Sequence, residues 1–189
     1  MRPKYETRGI VLARVPAGET HARLALLTAD LGILWARATS VRRPGGKLAA
    51  SLVTFAESDL VLVAGREGWR ITGAVLVENW FKRFPEPGAR QCAARVAGLA
   101  LRLSPGEAPG IALLPILWNF FNALARDGAV AYEGAELVAV AAILAALGLD
   151  DGAILPAGAS FSPAYLARAL RERERYIARI NRGIAASGL

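Results

Sequence analysis

The spacing of apolar residues changes once along this chain, and that change constrains the fold more than any other feature. From Tyr5 to Trp80, short β-rich segments alternate with turn residues, which is typical of strands. After the proline-rich segment at residues 84–88, apolar residues recur at three- and four-residue steps, which predicts helices. We therefore predict an α+β chain in two parts, with one domain at residues 1–83 and a second at residues 84–189.

The first part contains five predicted strands: Arg8–Val15, His21–Thr28, Ile33–Thr39, Phe55–Ala64 and Trp69–Glu78. The last two flank Gly65-Arg66-Glu67-Gly68 and form a predicted hairpin. A longer connection follows the third strand, and we expect one or two helical turns at residues 47–52. Five short strands in this arrangement are typical of a small closed barrel.

The second part contains predicted helices at Gln91–Leu103, Ile111–Arg126, Glu133–Leu147 and from Pro163 or Ala164 to about Ala186. They predict a helical bundle. Residues 108–125 carry no charge, but Pro109 and Pro115 interrupt them, so we expect a buried helix and no membrane span. We see no signal peptide, and the single cysteine fits a reducing compartment, so we expect a cytoplasmic protein.

Composition excludes several kinds of chemistry. The chain has one cysteine, Cys92, and one histidine, His21, which cannot form a disulfide framework or a Cys₄ or Cys₂His₂ zinc site. The segment around Gly45-Gly46-Lys47 lacks the earlier glycine and the following Ser or Thr of a phosphate-binding loop. We therefore expect no cofactor, no metal and no enzymatic activity.

Charge is concentrated in the first part. The chain has 23 Lys and Arg against 16 Asp and Glu; residues 1–83 hold 13 basic and 7 acidic side chains, and residues 84–189 hold 10 and 9. Such an asymmetry favours a polyanionic partner that binds the first domain. A basic surface that serves only solubility is the alternative.

The candidate DNA-binding residues are basic or aromatic. Arg42, Arg43 and Lys47 lie in one loop, and no acidic residue occurs between Asp30 and Glu57. Trp35 and Arg37 alternate on one strand and so share a face, while the further candidates Arg23 and Arg14 lie on neighbouring strands. Cations beside an aromatic ring suit phosphates and stacked bases. Trp35 as a barrel-core residue is the alternative.

A second basic feature lies in the last predicted helix. Its arginines recur at three- and four-residue steps and form one predicted stripe, which comprises Arg168, Arg171, Arg175, Arg179 and Arg182. A solvated face, a second phosphate track and a site for an acidic peptide all remain open.

Five short segments together resemble the opening of RecO-type recombination mediator proteins. They are residues 9–12, residues 18–20, the run Leu26-Leu27-Thr28-Ala29-Asp30-Leu31-Gly32, the run Val41-Arg42-Arg43 and the run Leu52-Val53-Thr54-Phe55. The resemblance spans about residues 5–80 and is weaker from residue 90 to residue 148. The chain departs from the family at Thr39-Ser40, where members commonly have Lys-Gly, and at residues 150–163, where many carry a cysteine cluster.

The resemblance implies an N-terminal OB-fold that binds DNA and a helical C-terminal domain that binds partners. It implies binding to single- and double-stranded DNA, strand annealing and RecA loading together with RecR, without catalytic residues. Arg42, Arg43 and Lys47 match the family's basic loop. It also suggests that the helical part, here shortened and without zinc, binds the tail of the single-stranded-DNA-binding protein. For that tail we predict an apolar pocket at Trp118 and Phe121, with Leu117 and Leu144, and cations from Arg171 and Arg175.

The leading interpretation is therefore a DNA-binding accessory protein of recombinational repair. The alternative is a protein-interaction adaptor that keeps the OB barrel but has lost strong DNA binding.

Overall fold

The computed structural model describes residues 3–18, 21–39, 48–104, 113–150 and 161–188. The chain divides into two compact units, of which the first contains the residues up to Arg83 and the second begins at Phe84. Which function each unit carries stays a prediction.

The first unit is a closed five-stranded barrel. Its strands are β1 (Lys4–Pro16), β2 (Ala22–Thr28), β3 (Gly32–Ala38), β4 (Ala56–Gly65) and β5 (Gly68–Asn79). The order around the barrel is β1-β2-β3-β5-β4, and β4 pairs with β1 to close it. The β3–β5 pair is parallel and the other pairs are antiparallel. The predicted OB-type barrel is confirmed.

Alternating side chains separate the barrel core from its outer surface. Leu34, Ala36 and Ala38 of β3 point into the core, whereas Trp35 and Arg37 point out. A single 3₁₀ turn, Ala50–Leu52, precedes β4 and buries Leu52 completely. The sequence predicted that Trp35 and Arg37 share one face of β3, because side chains on a strand repeat every two residues.

Glu57 and Asp59 lie two residues apart on β4 but have different surroundings. Its side chain is buried and accepts a hydrogen bond from the indole Nε1 of Trp80 at 3.0 Å. Trp80 begins α1 (Trp80–Arg83), a short helix that the sequence did not predict. Asp59 is exposed and pairs with Arg8 at 2.9 Å. Buried carboxylates need such partners, so Glu57 anchors this end of the barrel.

The second unit is a bundle around one central helix. Its helices are α2 (Pro87–Leu103), α3 (Leu113–Arg126), α4 (Tyr132–Ala146), α5 (Pro163–Arg171) and α6 (Arg173–Ala186). α4 packs against the other four, and nearly all of its side chains are buried. Residues 129–146 have the length and composition of a membrane span, yet 61% of that window is buried inside the protein, as in a core helix.

The last predicted helix is two helices, and the predicted arginine stripe is not continuous. The break falls at Glu172, between α5 and α6. Arg179 is buried, with 4% of its surface exposed, and its Nε lies 2.6 Å from both carboxylate oxygens of Asp150. Arg179 therefore holds the end of the α4 segment against α6 and is not part of a solvated stripe.

This ion pair yields a stability prediction. We expect Asp150→Asn to lower the free energy of unfolding by about 3 kcal/mol, because it leaves the Arg179 guanidinium buried without its counter-charge. Urea unfolding followed by circular dichroism measures the change. Glu133→Gln breaks the exposed Arg173–Glu133 pair and is the matched control, with an expected change below about 0.5 kcal/mol. Equal effects of the two substitutions would contradict the assignment.

Candidate nucleic-acid interface

Three arginines from three neighbouring strands lie side by side on the outer face of the barrel. Arg23 of β2 pairs with Arg37 of β3, and Arg37 pairs with Arg70 of β5. All three side chains are exposed. Because neighbouring strands lie about 4.8 Å apart, this arginine row crosses roughly 10 Å of the surface. It has the residue type and spacing needed to bind several phosphate groups of one strand.

Trp35 lies beside the arginine row and is 38% exposed. Its partner across the β2–β3 ladder is Ala25, which is too small to cover the ring, and its diagonal neighbour is Arg23. The guanidinium carbon of Arg23 lies 5.0 Å from the centroid of the indole ring. The alternative that Trp35 belongs to the barrel core is wrong, because the structure places its side chain on the surface. There the indole ring and the guanidinium plane of Arg23 provide two surfaces on which bases can stack.

One carboxylate is attached to the arginine row. Glu67, in the turn between β4 and β5, accepts a hydrogen bond from Arg37 Nη1 at 2.5 Å. Both side chains are more than half exposed. In such an exposed pair the attraction is weak, so an incoming phosphate can replace the carboxylate on Arg37.

A polar pocket of about 410 Å³ continues from the arginine row. Arg37 and Arg70 contribute to both features, and His21, Arg66 and Trp69 line the pocket as well. Sequence reasoning missed Arg66 and Arg70. Arg70 lies 33 positions after Arg37, so only the parallel β3–β5 pairing brings the two together.

Arg14, another predicted DNA-binding residue, falls outside this cluster. Arg14 pairs with the buried Leu24, whereas the β1 partner of Arg23 is Val15, so Arg14 lies on the other face of the ladder from Arg23. Arg42, Arg43 and Lys47 lie outside the described residues. That loop follows directly on Thr39, which lines the polar pocket at the end of β3.

The structure disperses the residues predicted to bind a partner peptide. Phe121 is fully buried and packs edge-on against Phe84, with ring centroids 5.3 Å apart, so it does not line a surface pocket. Leu117 and Leu144 are buried too, while Trp118 is 46% exposed. Arg171 and Arg175 are exposed and lie on either side of Glu172.

A different apolar groove exists in the helical unit. This helical groove lies between α2, α4 and α6 and has a volume of about 650 Å³. Its floor is aliphatic and consists of Leu99, Leu137, Val140, Ile177, Ile180 and Ile184. Charged groups form its rim, including Arg102 and the ion pairs Arg95–Glu136 and Arg173–Glu133. The lining includes neither Arg171 nor Arg175.

Cys92 does not have the surroundings of a nucleophile. Burial raises the pKa of its thiol well above the ordinary value, and the nearby Glu136 carboxylate, 3.5 Å from Sγ, raises this pKa further. The protonated thiol is therefore unreactive. Within the part of the chain that the structure describes, no three His, Cys, Asp or Glu side chains cluster as metal ligands do.

Comparison with known proteins shows what the first unit is similar to. Residues 1–80 match the family model described as "Recombination protein O N terminal". Curated relatives carry the name "DNA repair protein RecO". The protein from Dehalococcoides mccartyi strain 195 is 30% identical over 120 residues, which cover 64% of this chain and 47% of the relative. The protein from Heliobacterium modesticaldum is 32% identical over 126 residues, which cover 65% and 46%.

This chain spans about half the length of these two curated relatives. The protein from Acaryochloris marina matches over 80 residues at 35% identity, which cover 42% of this chain and 27% of the relative. The resemblance to RecO proteins that the sequence predicted is confirmed.

The Arg37–Glu67 pair yields a prediction about polyanion binding. We expect Glu67→Gln to elute from heparin at a higher salt concentration than the wild type, because it removes the carboxylate that competes with the polyanion for Arg37. Glu174→Gln, an exposed position of the helical unit, makes the same change in net charge and is the control. If the two variants shift elution equally, net charge alone accounts for the effect, and Glu67 has no special role.

Proposed function

We propose that this chain, whose first 80 residues match the N-terminal family model of recombination protein O, is a non-enzymatic DNA-binding accessory protein of recombinational repair. We propose that it binds single- and double-stranded DNA and acts in the cytoplasm. The observation that carries this proposal is the arginine row on one outer face of the barrel, with Trp35 beside it. The family match and the names of the relatives support the repair role.

The chemistry of the interface suits binding without sequence specificity. Guanidinium groups bind phosphates and release counterions, which gives affinity that does not depend on the bases. Trp35 stacks with any base, since every base has an aromatic face. We propose that Arg42, Arg43 and Lys47, which follow β3 in the sequence and lie outside the described residues, also contact phosphates.

Strand annealing follows from the same chemistry. A protein that binds a strand through its phosphates leaves the pairing edges of most bases exposed. A second strand can then pair with the bound one while the cations reduce the repulsion between the two backbones. We propose that annealing proceeds in this way, and that RecA loading depends on RecR, as the family resemblance implies.

The interface predicts how DNA affinity responds to salt. We expect the triple variant Arg23→Gln/Arg37→Gln/Arg70→Gln to bind DNA about tenfold more weakly or worse, with a slope of log K against log salt smaller by about 2 to 3. Fluorescence anisotropy with labelled single- and double-stranded oligonucleotides measures both quantities. Changing Arg42, Arg43 and Lys47 together to Glu is expected to reduce affinity and slope in the same direction.

The matched control changes three exposed arginines of the helical unit to Gln, namely Arg168, Arg171 and Arg182. It removes the same charge, and we expect the slope to stay at the wild-type value. Trp35→Ala should weaken binding of single strands only, by about 1–3 kcal/mol. If the wild type binds neither kind of DNA, the adaptor alternative replaces this proposal.

A second binding function is proposed for the helical groove. Its aliphatic floor and charged rim fit a peptide that has an apolar end and acidic side chains. We propose that this groove binds the acidic, hydrophobic C-terminal tail of the single-stranded-DNA-binding protein. Arg102 supplies a cation at the rim, a role that the sequence assigned to Arg171 and Arg175.

Titration with that tail peptide separates the two locations. We expect Arg102→Glu to weaken binding at least about tenfold, because it places a carboxylate where the acidic peptide meets the rim. The double variant Arg171→Glu/Arg175→Glu should bind as the wild type does. The reverse pattern would place the site at Arg171 and Arg175. If the tail peptide does not bind the wild type, the tail is not a partner of this protein.

A further inference from the structure

The polar pocket at the end of the arginine row differs from the rest of the interface in shape. Its walls come from β3, from the β4–β5 turn and from His21 beside the start of β2. Its volume of about 410 Å³ falls within the range of small-molecule sites, which begins near 300 Å³. The arginine row is an outward strand surface, whereas the pocket has the size to hold one nucleotide.

The charge of the pocket is greater than an internal phosphate requires. Arg37, Arg66 and Arg70 line it against one carboxylate, that of Glu67, which leaves a formal charge of +2 with His21 neutral. An internal phosphodiester carries one negative charge, whereas a phosphate monoester carries about −1.5 to −2 near neutral pH. The pocket therefore matches the charge of a phosphate monoester.

The position of Glu67 shows that an anion fits against Arg37. Its carboxylate accepts a hydrogen bond from Arg37 Nη1 at 2.5 Å, on the side where the pocket lies. A monoester can take that place and can receive further hydrogen bonds from Arg66 or Arg70. Arg37 and Arg70 also belong to the arginine row, so a strand that lies along the row reaches the pocket without a gap.

The pocket also has an aromatic wall. Trp69 lines it, and the ring of Trp69 packs against Tyr5 at nearly a right angle, with centroids 5.1 Å apart. Trp69 pairs with the inward Ala36 and packs against the barrel core, so it closes the pocket on the side of the barrel interior. A terminal nucleotide is joined to the rest of the strand on one side only. It therefore enters a pocket of this size more readily than an internal nucleotide, which is joined on both sides.

We propose that the polar pocket binds the terminal phosphate monoester of a DNA strand, so that the protein prefers phosphorylated strand ends. This inference rests on the proposed DNA binding and adds the class of end that the interface recognises. Arg66 is the residue specific to the pocket, because it lines the pocket but does not belong to the arginine row.

Competition binding with short oligonucleotides of about ten nucleotides tests the inference, since an OB-fold covers about 4–16 nucleotides. The competitors carry a 5′-phosphate, a 3′-phosphate or hydroxyl groups at both ends. A hydroxyl-ended oligonucleotide that is two nucleotides longer controls for total charge, because each added internal phosphate contributes one negative charge. We expect at least one phosphorylated form to bind about tenfold more tightly than the hydroxyl-ended control, as a charge-assisted contact provides.

The variants locate the effect. In Arg66→Gln the ratio of the two affinities should fall from about ten towards one, whereas Arg182→Gln, in the helical unit, should keep the wild-type ratio. Equal affinity of the wild type for phosphorylated and hydroxyl ends would overturn the pocket assignment but leave DNA binding intact. An unchanged ratio in Arg66→Gln would overturn it too. Failure to bind any oligonucleotide would overturn the proposed function as well.

Discussion

The parallel pairing of β3 with β5 closes the barrel and builds the candidate interface at the same time. The pairing is short and joins Ala36 to Trp69 and Arg37 to Arg70. Without it, the barrel would expose two strand edges, which are prone to pair with other chains. The contact that removes these edges also sets the second and third arginines of the row side by side. Stability and anion binding are therefore coupled at this point of the barrel.

The helical unit depends on close approaches to α4. A Cβ atom on Gly134 would lie 2.7 Å from the carbonyl oxygen of Leu166, and one on Gly183 would lie 2.9 Å from Leu144. The Leu166 oxygen belongs to the backbone, so a side chain at position 134 would push α5 away from α4, whereas at position 183 the end of the Leu144 side chain would have to move. The buried Arg179–Asp150 pair adds a polar contact to the same packing. Together these contacts place α6 where the helical groove forms.

Local pattern in the sequence predicted the five strands and the shared face of Trp35 and Arg37, because strand periodicity is a local property. It left open whether that face turns towards the core or towards solvent. It did not find Arg70 or Arg66, since the pairing that brings them to Arg37 joins segments far apart in the chain. Helical spacing alone placed Arg179 in one arginine stripe with Arg168, Arg171, Arg175 and Arg182, because the spacing does not show which residue α6 contacts. Phe121 was assigned to a pocket for the same reason, although the packing of Phe84 and Phe120 buries it.

The carboxylate on the β4–β5 turn has a consequence for the lifetime of a complex. When a phosphate dissociates from Arg37, Glu67 can form its ion pair with Arg37 again, so the guanidinium is not left without a counter-charge. An internal counterion of this kind lowers the barrier to dissociation, and each contact can exchange rapidly even when many contacts together hold the strand. A strand bound in this way can pass from one set of contacts to another in small steps. In the proposed function, this exchange lets the protein hold a DNA strand and then release it.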